Sequence, residues 1–131
     1  LCDIVIASED TLFQDRHFRI GTVPGDGVHI VWPALLGPNR GRYFLLTGQK
    51  LSAQQALALG VVNEVVPREQ LLARAWELAG HIASQPIRTI RYARTVLVQQ
   101  LKKQMQEYLG QGLAYEGLAQ SFARPKRDQR D

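Results

Sequence analysis

One histidine, two carboxylates and a glycine-rich turn hold most of the chemistry this sequence offers. His17 is followed by Gly-Thr-Val-Pro-Gly-Asp-Gly (Gly21 to Gly27), which contains Asp26. Imidazole is the side chain best suited to take and return protons near neutral pH. A carboxylate on one ring nitrogen fixes the tautomer and favours the imidazolium that forms at the other. Glycine reaches positive φ without penalty and proline fixes its own φ, so Gly21, Gly25, Gly27 and Pro24 allow a tight reversal that returns Asp26 to His17. The residues alone leave a second reading open, in which His17 is a surface loop histidine and Asp26 caps a helix that begins near Gly27.

Glu116, in Gly112-Leu-Ala-Tyr-Glu-Gly-Leu, is the other candidate carboxylate, with an exposed helix position as the alternative. His29 reads as a satisfied structural histidine and His81 as a surface residue of an amphipathic helix. Phe18 and Trp32 are candidates to line a pocket around a hydrophobic ring, with core packing as the ordinary alternative. A histidine beside carboxylates raises the question of a metal, but no recognisable ligand spacing is present, so neither a metal nor a cofactor is expected.

These residues need elements to hold them. Asp3 to Ala7 reads as a short strand, and Thr11 to Phe13 as a second extended piece before the His17 loop. A helix follows Gly27 with Ile30, Val31, Ala34 and Leu35 at helical spacing, despite Pro33, and ends at Gly37. Pro38 opens the next helix, through Tyr43 and Phe44 to Gly48. Ser52 suits the N-cap of a short helix over Ala53 to Leu59, closed by Gly60. Val61 to Val66 reads as a strand stopped by Pro67. Glu69 to Ser84 is amphipathic, with Leu71, Leu72, Ala75, Leu78 and Ile82 on one side. After Pro86, Ile87 to about Phe122 reads as helix, interrupted or bent near Gly110 and Gly112.

The chain has 131 residues, 45% of them hydrophobic, enough for one modest core. Its single cysteine excludes an internal disulfide and a cysteine metal cluster, and Cys2 is expected to be buried beside the first strand. No run is long and apolar enough for a membrane span, and no signal-peptide pattern is visible, so a cytoplasmic location is the default expectation and no membrane partner is expected. The net charge of +4 gathers late, at Arg88, Arg91, Arg94, Lys102 and Lys103. Without interleaved aromatics these read as a solvated helix face, not a nucleic-acid surface.

The run from Phe13 to Gly27 resembles the active-site loop of the crotonase superfamily, the enoyl-CoA hydratases and their relatives. Leu46-Thr-Gly-Gln-Lys-Leu-Ser-Ala-Gln-Gln-Ala-Leu-Ala-Leu-Gly-Val-Val-Asn-Glu-Val-Val-Pro resembles a structural segment of the same family. The resemblance implies an α/β fold, a crotonase-like spiral of ββα units. On it, residues 1–66 correspond to the C-terminal half of the core with the active-site loop. Residues 67–123 correspond to a helical trimerisation region, and residues 124–131 to a disordered tail. The strand entered at the outset implies a chain that continues a larger protein, with the enolate-binding N–H pair of the family before Leu1.

The departures from the family pattern suggest the reaction. Many hydratases of the family carry Pro-Glu where this chain has Arg16-His17, and a small residue where it has Asp26. His17 with Asp26 is similar to the β-diketone hydrolase branch, of the 6-oxocamphor hydrolase type, in which a glutamate corresponding to Glu116 lies in the pocket. The resemblance thus implies retro-Claisen cleavage of a cyclic β-diketone by His17, Asp26 and Glu116, in a homotrimer or dimer of trimers, without a cofactor. The alternative implied is a hydratase or isomerase acting on acyl-CoA, with the late basic residues as a CoA phosphate site. A third reading is an inactive crotonase-fold fragment or assembly partner; the hydrolase activity is expected of the full-length protein, and these 131 residues alone are expected to be inactive.

Overall fold

The computed structural model describes residues 2–122. Its elements are β1 (Ile6–Ser8), β2 (Leu12–Phe13), α1 (Val28–Leu36), α2 (Pro38–Thr47), β3 (Leu51–Ser52), α3 (Ala53–Ala58), β4 (Glu64–Val66), α4 (Leu71–Ala83), α5 (Ile87–Leu97) and α6 (Gln99–Phe122). β1 pairs in parallel with β4, Ala7 opposite Val65, and β2 pairs antiparallel with β3, Phe13 opposite Leu51. The fold is α/β with helix predominant. Residues 124–131, expected to be a disordered tail, lie outside the described residues.

The strands are shorter than expected because side chains and a helix end take their backbone donors. The Val5 N–H donates to the Asn63 side-chain carbonyl at 2.8 Å, so the β1 ladder opens only at Ile6. The N–H groups of Val61 and Val62 donate to the Ala56 carbonyl at 2.8 and 3.4 Å, closing α3 before β4 begins. Cys2 is exposed in the lead-in to β1, not buried beside it.

Helix signals worked better. Ser52 and Gln55 form a reciprocal capping box at the start of α3, with bonds of 2.9 and 3.2 Å. Pro33 sits inside α1, and Pro38 starts α2. The interruption expected near Gly110 and Gly112 is absent, since α6 runs unbroken through both. The interruption falls instead at Val98, at φ −92° and ψ 0°. Glycine lowers helix propensity by about 1 kcal/mol, and packing can override that.

Phe44, Leu45 and Leu51 form one apolar cluster, and Ala7, Ala53, Ala56, Val61 and Val62 another. Phe13, Trp32, Leu36 and Leu59 pack against both and join them. Trp32 lies 4.2 Å, centroid to centroid, from Phe44. The core therefore anchors the two ends of the 13–28 loop, through Phe13 and Val28. By contrast, no residue of α4, α5 or α6 is fully buried among the described residues, and Trp76 is 71% exposed.

Candidate active site

The His17 loop is built from short-range bonds. Asp15, 7% exposed, accepts the His17 backbone N–H through Oδ1 at 3.1 Å, an Asx-type turn that starts the single 3₁₀ turn Phe18–Ile20. The Thr22 N–H returns to the His17 carbonyl at 3.0 Å. Gly21 and Gly27 have the positive φ expected of them, 78° and 109°. Gly25 has a different task. The Gly25 N–H closes a turn onto the Val23 carbonyl at 2.8 Å around Pro24. A Cβ on Gly25 would overlap the Gly112 carbonyl and lie 2.9 Å from the Glu116 Cβ. A Cβ on Gly112 would overlap His29. Two glycines thus let α6 cross directly over the loop, and one turn beyond the crossing the helix delivers Glu116.

The two nitrogens of the His17 ring meet different groups. Nδ1 lies 3.1 Å from both carboxylate oxygens of Asp15. Nε2 lies 3.6 Å from Asp26 and 3.8 Å from Glu116. An ionised carboxylate has no hydrogen to give, so in the neutral ring the Asp15 bond places the proton on Nδ1 and leaves Nε2 with its lone pair. The Nε2 distances are too long for direct hydrogen bonds and short enough for a water shared among the three groups. A direct His17–Asp26 hydrogen bond is not formed: with the ring N–H given to Asp15, Nε2 and the Asp26 carboxylate are both acceptors, and they stand 3.6 Å apart. Asp26 leans toward the Val28 N–H at 3.4 Å, so the capping role weighed for it is at best weakly filled. Burial disfavours the imidazolium, but the hydrogen bond and charge of Asp15, then the charges of Asp26 and Glu116, outweigh it and raise the His17 pKa above its ordinary value.

Sequence reasoning passed over Asp15. The signal available was the Asp-x-His spacing, which fits an Asx turn; its burial comes from tertiary packing and leaves no local mark. The structure brings His17, Asp26 and Glu116 together, with ligating atoms within 4.8 Å of one another, a spacing that also admits a cation. One Glu116 oxygen, Oε2, is buried and has no partner among the described residues.

Phe18 and Trp32, the candidate pocket residues, differ in their surroundings. Phe18 is 53% exposed, and Trp32 belongs to the core. His29 has a buried Nδ1 without a partner among the described residues and lines a cavity of about 670 Å³ with Val23, Pro24, Pro33, Tyr108 and Tyr115. That cavity abuts the Gly25–Gly112 crossing, but neither His17, Asp26 nor Glu116 lines it. His81 is exposed, as are Arg88, Arg91, Arg94, Lys102 and Lys103, with Arg94 paired to Asp3 at 2.8 Å. No helix among the described residues is long and apolar enough to cross a membrane.

Comparison with known proteins agrees with this architecture. A β-diketone hydrolase from the cyanobacterium Anabaena sp. PCC 7120, solved with (S)-3-oxocyclohexyl acetic acid, is 55% identical with a TM-score of 0.87, over 89% of this chain and 47% of that one. An enoyl-CoA hydratase from Mycobacterium avium is 35% identical with a TM-score of 0.83, over 92% of this chain and 54% of that one. A short-chain-enoyl-CoA hydratase of Clostridium acetobutylicum is 30% identical over 99% of this chain and 48% of its own length. The chain spans about half the length of the relatives it matches. The enoyl-CoA hydratase/isomerase family model matches residues 1–122. With the loop, the capped α3 segment and this match in agreement, the chain belongs to the enoyl-CoA hydratase/isomerase family, the crotonase superfamily.

Proposed function

We propose that the protein hydrolyses a carbon–carbon bond of a cyclic β-diketone by a retro-Claisen route. The observation that carries this reading is the His17 ring, its Nδ1 held by Asp15 and its Nε2 free to meet a water between Asp26 and Glu116. The similarity to the cyanobacterial β-diketone hydrolase supports the substrate class.

In this reading Nε2 takes a proton from water as hydroxide adds to one ketone carbon. The tetrahedral alkoxide collapses to a carboxylic acid. The electron pair of the broken carbon–carbon bond passes to the α-carbon, making an enolate of the second ketone. The imidazolium then returns its proton to that carbon, so water is the only reactant consumed besides the diketone. Asp26 and Glu116 stabilise the imidazolium between the two transfers. They also orient the water.

A second reading, hydration or isomerisation of an enoyl-CoA, is favoured by the names of most relatives, such as a probable mitochondrial enoyl-CoA hydratase of Dictyostelium discoideum, 34% identical over 82% of this chain. Assays with a cyclic β-diketone and with crotonyl-CoA on one preparation separate the two. Diketone cleavage that His17→Ala lowers by about 10²–10⁴-fold supports the hydrolase, the usual scale for a positioned base. Hydration of crotonyl-CoA without diketone cleavage overturns it.

A further inference from the structure

We propose that Asp15 is the positioning residue of this site and that Asp26 works on the substrate side of the ring. The usual economy of an imidazole–carboxylate pair assigns one acid to orientation, and the spacing His17 to Asp26 invites that role for Asp26. The geometry divides the work otherwise. Asp15 engages both the backbone N–H of His17 and Nδ1, so a single carboxylate fixes the turn and the ring together. Its side chain is 6% exposed, against 47% for Asp26. A buried group with two bonds to one residue holds a geometry; a half-exposed one outside hydrogen-bond range is free to meet a water or a substrate oxygen.

The consequence is a fixed tautomer. With Asp15 ionised, neutral His17 carries its hydrogen on Nδ1 and its lone pair on Nε2, the nitrogen that faces Asp26 and, from α6, Glu116. Among the described residues, these acids are the charged groups facing the ring. Replacing Asp15 by Asn preserves shape, but removes the charge and lets the amide donate as well as accept. The ring is then no longer held to one tautomer. Replacing Asp26 by Asn leaves the Nδ1 bond intact.

The test is nitrogen NMR of the ring in full chain labelled with ¹⁵N-histidine. The chain has three histidines, and a His17→Gln variant assigns the His17 signals. At pH above the titration the wild-type ring is expected as the Nδ1–H tautomer. In Asp15→Asn that preference should collapse and the titration midpoint should move down. In Asp26→Asn the tautomer should persist. A wild-type ring protonated on Nε2, or a tautomer lost in Asp26→Asn and kept in Asp15→Asn, overturns the assignment. If Asp15→Asn does not fold, the wild-type ring shifts decide alone.

The corresponding kinetic effect rests on the proposed hydrolase reading. There Asp15→Asn should lower kcat on a cyclic β-diketone about 10²–10⁴-fold with little change in KM. An Nδ1–H tautomer in a protein that cleaves no diketone would uphold the Asp15 assignment while removing the reaction, so the two failures are distinguishable.

Discussion

His17 faces three acids and is itself only partly enclosed, with a side chain 23% exposed. Its raised pKa has two consequences of opposite sense. As a base it must be neutral, so activity should rise with pH through a midpoint above the ordinary histidine value. Removing an acid facing the ring should move that midpoint down. As a structural group it is charged more readily in the folded state. It therefore contributes stability that is fully present below the unfolded histidine pKa and is lost as pH rises through the folded one. A rate profile of Glu116→Gln should show the acid limb displaced to lower pH with a reduced plateau, and a limb that stays in place would detach Glu116 from the ring. The same cluster admits a cation by spacing alone, yet the retro-Claisen route asks for none. Dialysis against a chelator should leave diketone cleavage unchanged; loss of activity restored by a divalent ion would recast the site. His17, Asp26 and Glu116, which the structure brings together, were singled out by the family resemblance of their surroundings, since acids alone, 12 of them in the chain, mark no site. Asp15 was not, since an acid becomes a site residue through its burial, which depends on chain far away in sequence.

At the level of elements, the crossing of α6 over the loop decides whether Glu116 reaches His17. Gly112 touches the loop, whereas a Cβ on Gly110 would meet nothing within 4 Å. Gly110→Ala should therefore raise the melting temperature, since alanine is favoured over glycine in a helix by about 1 kcal/mol. Gly112→Ala should lower it and reduce turnover toward that of Glu116→Gln. Equal effects of the two changes would deny the crossing a role. The contrast also explains what the sequence showed of the elements. The N-cap at Ser52 and the helix after Pro38 were plain, because caps and prolines act on their own neighbours. The continuity of α6 through its glycines was hidden, because a glycine that breaks a helix and one that permits a close crossing look the same in the chain. The two-residue strand β3 was equally hidden, being defined only by its partner β2.

For the whole molecule, the core lies around α2, α3 and the short strands, while α4 to α6 leave Leu72, Trp76, Val96 and Leu97 largely exposed. Exposed apolar side chains such as these are available to a partner surface. β1 has a partner on one side only among the described residues, which leaves a strand edge open to pairing. The trimer that the family resemblance implies would cover part of this face. Sedimentation of the 131-residue chain should therefore show self-association. A monomer that unfolds cooperatively on heating would contradict that. One comparison of wild-type and His17→Ala protein tests the proposed reaction most directly, with a cyclic β-diketone and crotonyl-CoA offered to both. Cleavage of the diketone to a keto acid by the wild type, lowered about 10²–10⁴-fold in the variant, is the predicted result. Hydration of crotonyl-CoA with no diketone cleavage, or cleavage at an unchanged rate without His17, would contradict it.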